Sequence, residues 1–278
     1  MISVLAVDLD ETLLRSDGSV SPRTLETLAA WEAAGRRLVI ATGRPPRSAA
    51  KIPNELLHLP CVCYNGAAIY LDGQPFYTRT IPAVDAWQIV DSLLAAMPDS
   101  RVGIEIDDIL YVNRPTDRPG TQFTPDLLGM AARPAAKIII ALNEYLQAVP
   151  SANGLPKSAR VLLSKKYDVA QIMPSQSSKA TALAHLMDEW GIPMGQVAAF
   201  GDDVNDVEMV EQAGLGVAMD NAVAEVKAVA DRITASNDAD GVALVVEELL
   251  GIGDWGLEIS DWRLGIVCAK LFSLAQNC

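Results

Sequence analysis

The chain has 278 residues, half of them hydrophobic and 21% charged, which is material for one large core or two domains and shows no sign of global disorder. A formal net charge of −13 argues against nucleic acid or an anionic membrane as the main partner. No apolar run reaches the roughly 18 residues that a membrane span needs.

The amino terminus runs straight into Val4-Leu5-Ala6-Val7, with no basic region or cleavage site ahead of it, so the expectation is a cytoplasmic protein. This apolar strand stops at Asp8-Leu9-Asp10-Glu11-Thr12. Residues i and i+2 of an extended chain share a side, so Asp8 and Asp10 present two carboxylates together. A solvated acidic loop explains them as simply as a bound cation does. Ser16-Asp17-Gly18 marks a turn, Ser21-Pro22 caps and starts a helix, and Gly35 stops it. Arg37–Thr42 reads as the next strand, followed at once by Gly43-Arg44-Pro45-Pro46, then a second helix over Ser48–Leu57. Pro60–Tyr64 forms a third strand that ends at Asn65-Gly66. Cys61 and Cys63 alternate within it, which is not a zinc-type spacing. With only His58 and His185 present, a histidine metal site or a Ser-His-Asp triad has little to build on.

Strand, helix, strand, helix, strand at this spacing predicts a doubly wound parallel sheet, whose ligands bind at the carboxyl ends of the strands. Asp8, Asp10, Thr42 and Asn65 all fall there. The rhythm changes after Ala67: a hairpin turns at Asp72-Gly73, an amphipathic helix covers Ala86–Met97, and short strands flank Asp107-Asp108. A proline-rich loop runs from Arg114 to Pro125, Lys137–Leu142 is strand-like, Asn143–Ala148 is a short helix, and a last pair of strands covers Arg160–Ser164 and Tyr167–Met173. This is an α+β insertion. The first rhythm then returns, with a helix over Ser178–Trp190, a strand over Gln196–Phe200, and the loop Gly201-Asp202-Asp203-Val204-Asn205-Asp206. Alternating helices and strands continue to Leu250. The predicted organisation is α/β, a doubly wound parallel core over 1–81 and 175–250 with an α+β domain inserted at 82–174, and a C-terminal extension over 251–278 with a helix at Ser260–Leu274.

Two acidic loops at strand ends of one parallel sheet define one anionic place. Mg²⁺, a hard ion served by carboxylates, water and phosphate oxygen, could take oxygen from Asp8, Asp10 and Asp202, with Asp206 orienting from behind. Thr42-Gly43-Arg44 offers a hydroxyl, a close backbone approach and a guanidinium fork, groups that suit phosphate. Lys179 opens a helix beside Ser178, where helix end and ammonium add. Each has a plainer alternative as surface charge. Together they are the minimum set for phosphoryl transfer to an aspartate.

With Asp8-Leu9-Asp10-Glu11-Thr12, Thr42-Gly43-Arg44, Asn65-Gly66-Ala67, Ser178-Lys179 and Gly201–Asp206 in this order, the chain resembles the haloacid dehalogenase superfamily. Within it, the resemblance is to the Cof-type phosphatases with a large α/β cap of type IIB, and it covers Ile2 to about Leu250. It implies a Rossmann-like core in which Asp8 is the nucleophile and Asp10 the general acid and base, a neighbouring carboxylate favouring its protonated form. It also implies Mg²⁺ on Asp8, on the backbone carbonyl of Asp10 and on Asp202, with Thr42, Gly43, Arg44 and Lys179 on the phosphoryl group, and Asn205 on substrate or loop. Asp206 and Asn65 stand behind them. Glu11 departs from the family, which most often has glycine there. The expected activity is a Mg²⁺-dependent phosphatase for small phosphorylated metabolites, sugar phosphates first. A phosphotransferase or mutase with the same intermediate is a rival, and a receiver-like signalling module is another.

Overall fold

In the computed structural model, which describes residues 1–49, 52–117, 119–148 and 154–252, the opening apolar run is β1 (Val4–Val7), buried at every position. The helix expected at Ser260–Leu274 lies outside the described residues. Helix α1 (Pro22–Ala33) starts where Ser21 and Pro22 predict, the Ser21 side chain accepting from Thr24 N–H. Strand β2 (Arg37–Ala41), the short helix α2 (Pro46–Ala49), β3 (Cys61–Cys63) and the hairpin β4 (Ala68–Leu71) and β5 (Gln74–Thr78) follow. The helix expected over Ser48–Leu57 is not formed as such. α2 lies earlier, and Asn54–Leu56 is a separate tight turn. Pro53 accounts for this, because its ring removes an N–H and drives Ile52 away from helical backbone.

The second group comprises α3 (Ala83–Ala96), β6 (Gly103–Ile106), β7 (Ile109–Val112), β8 (Thr121–Phe123), α4 (Leu127–Ala131), β9 (Lys137–Ala141), α5 (Leu142–Ala148), β10 (Ala159–Ser164) and β11 (Val169–Pro174). The proline-rich segment Arg114–Pro125 is therefore not all loop: β8 pairs parallel with β7 at the sheet edge, where nearby prolines cost no ladder partner. Asp126 caps α4, accepting from Gly129 N–H at 2.8 Å. The chain then returns through α6 (Lys179–Trp190), β12 (Val197–Gly201), α7 (Val207–Gln212), β13 (Leu215–Ala218), α8 (Ala224–Val229), β14 (Arg232–Ile233) and α9 (Gly241–Leu250).

Two sheets result. The first has the order β14-β13-β12-β1-β2-β3-β4-β5, parallel from β14 to β3 and antiparallel through the hairpin. Its strands alternate between two cores: Leu5, Val7, Leu38 and Ile40 pack in the cluster that includes Leu28 and Trp31 of α1 and Val245 and Val246 of α9. Val4, Ala6, Val39 and Ala41 pack with Leu183 and Leu186 of α6. Helices on both faces explain why these strands are apolar throughout. Each such buried aliphatic side chain stabilises the fold by on the order of 2 kcal/mol.

The second sheet, order β10-β11-β9-β6-β7-β8, is antiparallel apart from the β7–β8 edge. Ile104, Ile138, Ala170 and Ile172 face Ala86, Ile89, Val90 and Leu93 of α3 in a core of its own. The opposite face carries Gly103, Glu105, Lys137, Ile139 and Gln171, in register across β6, β9 and β11. That face looks toward the ends of β1, β2, β3 and β12. The architecture is a doubly wound α/β core with an α+β cap.

Candidate active site

β1 is paired with β2 on one side and β12 on the other, both parallel, so Asp8 leaves the sheet at its topological switch point. Its backbone does not continue into a regular helix. Leu13 N–H donates to Asp8 O at 3.2 Å and Leu14 N–H to Leu9 O at 2.8 Å, closing one wide turn that swings Asp10 and Glu11 away from helical geometry. Lys179 meets Asp8 from the first position of α6, which Ser178 caps by accepting from Thr181 N–H. The lysine is wholly buried, and its Nζ donates to Asp8 Oδ1 at 2.5 Å and to Asp206 Oδ1 at 2.6 Å. A buried ammonium is tolerable only when paired this closely. The other oxygen of Asp206 accepts from the N–H groups of Asp202 (3.0 Å) and Asp203 (3.2 Å), which folds the loop after β12 around it. Thr12 Oγ1 donates to Asp202 Oδ1 at 2.9 Å and ties the two acidic loops together.

Gly66 makes the placement of Lys179 possible. Its φ is +93°, and a Cβ there would lie 2.0 Å from the carbonyl oxygen of Ser178. Only glycine allows the loop after β3 to press on the start of α6.

Asp8, Asp202 and Asp206 each bring a carboxylate oxygen within 4.8 Å of the other two, all three buried. Burial pushes the Asp8 carboxyl well above the usual carboxylate range; Lys179 pulls it back, while Asp206 and Asp202 add to the rise. Asp202 is pushed up to about 6, chiefly by burial and then by Asp206, against hydrogen bonds from Lys166 and Thr12. Such a set of crowded oxygen donors, more anionic than Lys179 alone can balance, fits a hard divalent cation. The side chain of Asp10 is not in this cluster. Its partner is a cation rather than the neighbouring carboxylate expected from the sequence: Arg44 holds it with two bonds, Nε to Oδ2 at 2.9 Å and Nη2 to Oδ1 at 2.6 Å.

Thr42, directly after β2, is fully buried, and its Oγ1 accepts from Arg44 N–H at 3.1 Å. A Cβ on Gly43 would stand 2.8 Å from Asn65 Oδ1, so the glycine leaves room for that amide. Asn205 Nδ2 donates to Asn65 Oδ1 at 2.9 Å, and Asn65 Nδ2 donates to Gln171 Oε1 on the cap at 3.1 Å. The structure thus brings the acidic, phosphate-binding and supporting residues expected at the site to the carboxyl edge of the core sheet. His185 lies elsewhere, packed against Tyr77 with ring centroids 4.6 Å apart.

A cavity of about 1030 Å³ separates this edge from the cap, bordered by Asp8, Asp10 and Arg44 below and by Gly103, Lys137 and Ile139 above. On the cap, Lys137 donates to Gly43 O at 3.2 Å, Asp108 pairs with Arg47, Arg114 pairs with Asp99, and Asp107 pairs with Arg133. Three participants carried no sequence signal. Arg47 of α2 clasps Glu105 with two bonds, donating at 2.8 and 2.9 Å. Gln171 reaches Asn65 from β11. Lys166, in the turn after β10, bridges Asp202 and Glu11. Each becomes visible only once the cap is folded over the core.

A sheet core of this topology, with acidic loops at its switch point and an inserted cap, fits one class of hydrolases, and comparison with known proteins shows which. Residues 5–246 match the haloacid dehalogenase-like hydrolases, and the chain belongs to that family. A Bacillus subtilis relative, 5-amino-6-(5-phospho-D-ribitylamino)uracil phosphatase YitU, is 30% identical over 272 residues, 90% of this chain and 98% of its own. The Escherichia coli pyridoxal phosphate phosphatase YbhA is 28% identical, over 86% of this chain and 96% of its own. Among solved structures, the haloalkanoate-superfamily phosphatase BT1666 from Bacteroides thetaiotaomicron superposes with a TM-score of 0.77 at 27% identity, over 91% of this chain and 96% of its own. The chain is accordingly a phosphatase of this family.

Proposed function

We propose that the chain is a Mg²⁺-dependent phosphatase that dephosphorylates a small phosphorylated sugar or sugar alcohol through an aspartyl-phosphate on Asp8. The observation that carries this reading is the buried Asp8 carboxylate, aimed from the end of β1 into the cavity and fixed by Lys179 at 2.5 Å. Asp8 and Asp202, with the backbone carbonyl of Asp10, would hold Mg²⁺, which when bound neutralises phosphoryl oxygens and so lets an anionic nucleophile approach. Asp206 holds Lys179 and the Asp202 backbone from behind. Thr42, Gly43, Arg44, Lys179 and Asn205 receive the phosphoryl group.

In the first step an Asp8 oxygen bonds to phosphorus, the bond from phosphorus to the leaving oxygen breaks, and Asp10 gives that oxygen a proton. In the second, water attacks phosphorus, its proton passes to Asp10, and the Asp8–phosphorus bond breaks. Arg44 holds Asp10 at the cavity that Asp8 also lines, which supports its assignment to both transfers.

The cap over 82–174 closes the cavity and reads the leaving group, while 1–81 and 175–250 form the catalytic core. The apolar part of the cap face (Gly103, Leu110, Val112 and Ile139) favours a leaving group that carries a flat ring, the feature shared by the substrates named for the two phosphatase relatives. A cytoplasmic setting agrees with two free thiols, Cys61 and Cys63, whose sulfurs lie 3.4 Å apart unbonded. Among the described residues no helix is long and apolar enough to cross a membrane.

Turnover of p-nitrophenyl phosphate with Mg²⁺ and its loss in chelator test the class. A panel of sugar, sugar-alcohol and ring-bearing phosphates ranked by kcat/KM tests the substrate. A stable phosphoprotein with no turnover would overturn the enzyme reading.

A further inference from the structure

Glu11 has φ 59°, in the left-handed region where a side chain costs on the order of 1 kcal/mol or more. Its carbonyl is pinned there by Asn221 Nδ2 at 2.8 Å. What the side chain gains is a cap contact: Glu11 Oε2 lies 2.7 Å from Lys166 Nζ. The same ammonium also binds Asp202 Oδ2. Asp202 is 1% exposed and belongs to the carboxylate cluster that fits a divalent cation. One lysine from the β10–β11 turn therefore crosses from cap to core and sits on a candidate metal ligand, anchored by a second carboxylate outside that cluster.

A cation and the Lys166 ammonium cannot both use the same Asp202 oxygen. When Asp202 is taken, Lys166 keeps Glu11, and a phosphoryl group on Asp8 would offer it a second anion in place of Asp202. Charge favours this exchange, since an ammonium held at 20% exposure beside the cluster has lost part of its hydration and needs an anion. We propose that Lys166 is a cap-borne phosphoryl-binding residue: it occupies Asp202 until a divalent cation displaces it, and then, steered by Glu11, pairs with the phosphoryl oxygens of the substrate. This rests on the phosphatase reading above. It couples metal binding to closure of the cap over the phosphoryl group, and it explains why a strained glutamate stands at position 11.

The test is Lys166→Met, with Lys166→Arg as the conservative control and unfolding midpoints to verify folding. Lys166 lies in a surface turn, so the variants retain the fold. Calorimetric titration with Mg²⁺ alone gives tighter binding in Lys166→Met than in the wild type, by about tenfold for one charge-assisted contact. Titration with inorganic phosphate at saturating Mg²⁺ gives about tenfold weaker binding in Lys166→Met, which Lys166→Arg restores. Unchanged Mg²⁺ affinity, or unchanged phosphate affinity, overturns the proposal. Wild-type protein that binds both ligands with this pattern but hydrolyses no phosphomonoester would sink the phosphatase reading and leave the exchange standing. Normal wild-type turnover with neither affinity altered in Lys166→Met would do the reverse.

Discussion

Lys179 Nζ and Asp8 Oδ1 are 171 residues apart in sequence and 2.5 Å apart in space, with side chains 0% and 7% exposed. Removing the ammonium leaves Asp8 and Asp206 facing each other inside the protein. Lys179→Met therefore loses activity by at least a hundredfold, and the metal-free protein loses about 3 kcal/mol of stability. Mg²⁺ restores part of that stability by supplying the missing positive charge. Phosphatase assays and denaturant titrations with and without Mg²⁺ measure both effects.

Proton and metal compete at Asp202. Its carboxyl rises from 3.8 to about 6 in the folded protein, so between those values the native state holds a proton that the unfolded chain has released. The contribution of this group to metal-free stability is thus greatest below pH 4 and is lost as the pH climbs through 6. Mg²⁺ binding, which requires the carboxylate, strengthens over the same interval. The rise in Tm on adding Mg²⁺ is expected to be large above pH 7 and to shrink below pH 6, with proton release on binding that grows as the pH falls. Calorimetry in buffers of different ionisation enthalpy measures that release.

Arg47 joins the loop that carries Thr42 and Arg44 to the cap. Glu105 is 3% exposed, and its two oxygens both accept from the Arg47 guanidinium. Arg47→Ala leaves a buried carboxylate without that partner and is predicted to cost about 3 kcal/mol in chemical denaturation. Arg47→Lys recovers less than half, since an ammonium cannot supply the two-pronged contact. A drop in kcat/KM accompanies the loss, because the cap then lacks its tie to the phosphate-side loop.

Much of this arrangement could be read from the sequence, because the chemistry sits at strand ends and strand ends are local. Asp8, Thr42, Asn65 and Asp202 each follow an apolar run directly, and Ser178 and Gly191 bracket the helix that carries Lys179. What escaped depends on contacts between distant segments or on breaks inside a plausible pattern. Pro53 falls inside the helix expected over Ser48–Leu57, which is replaced by Pro46–Ala49 and a separate turn at Asn54–Leu56. β8 is three residues long in a proline-rich stretch, and its strand character comes from pairing with β7. Lys166, Gln171 and Arg47 had no motif, since their partners Asp202, Asn65 and Glu105 are 36, 106 and 58 residues away. Asp206 was expected behind the site, and it proved also to bring an oxygen into the cluster itself.

Gly66 tests how the core positions its lysine. A methyl group there meets the Ser178 carbonyl at 2.0 Å on a backbone with φ +93°. Gly66→Ala is predicted to lower Tm and to reduce kcat more than it raises KM, because the first turn of α6 must shift and take Lys179 with it. An alanine variant with wild-type kcat would show that this contact does not govern the lysine.

The most direct test of the central claim is phosphatase activity in Asp8→Asn, measured beside its thermal unfolding. Asparagine keeps the shape and removes a crowded negative charge, so the variant is predicted to fold with a metal-free Tm equal to or above that of the wild type. It is also predicted to lose turnover of p-nitrophenyl phosphate by at least a thousandfold, for want of a nucleophile. Near-normal turnover in a folded Asp8→Asn protein would contradict the account, because the phosphoryl group would then be passing through some residue other than Asp8.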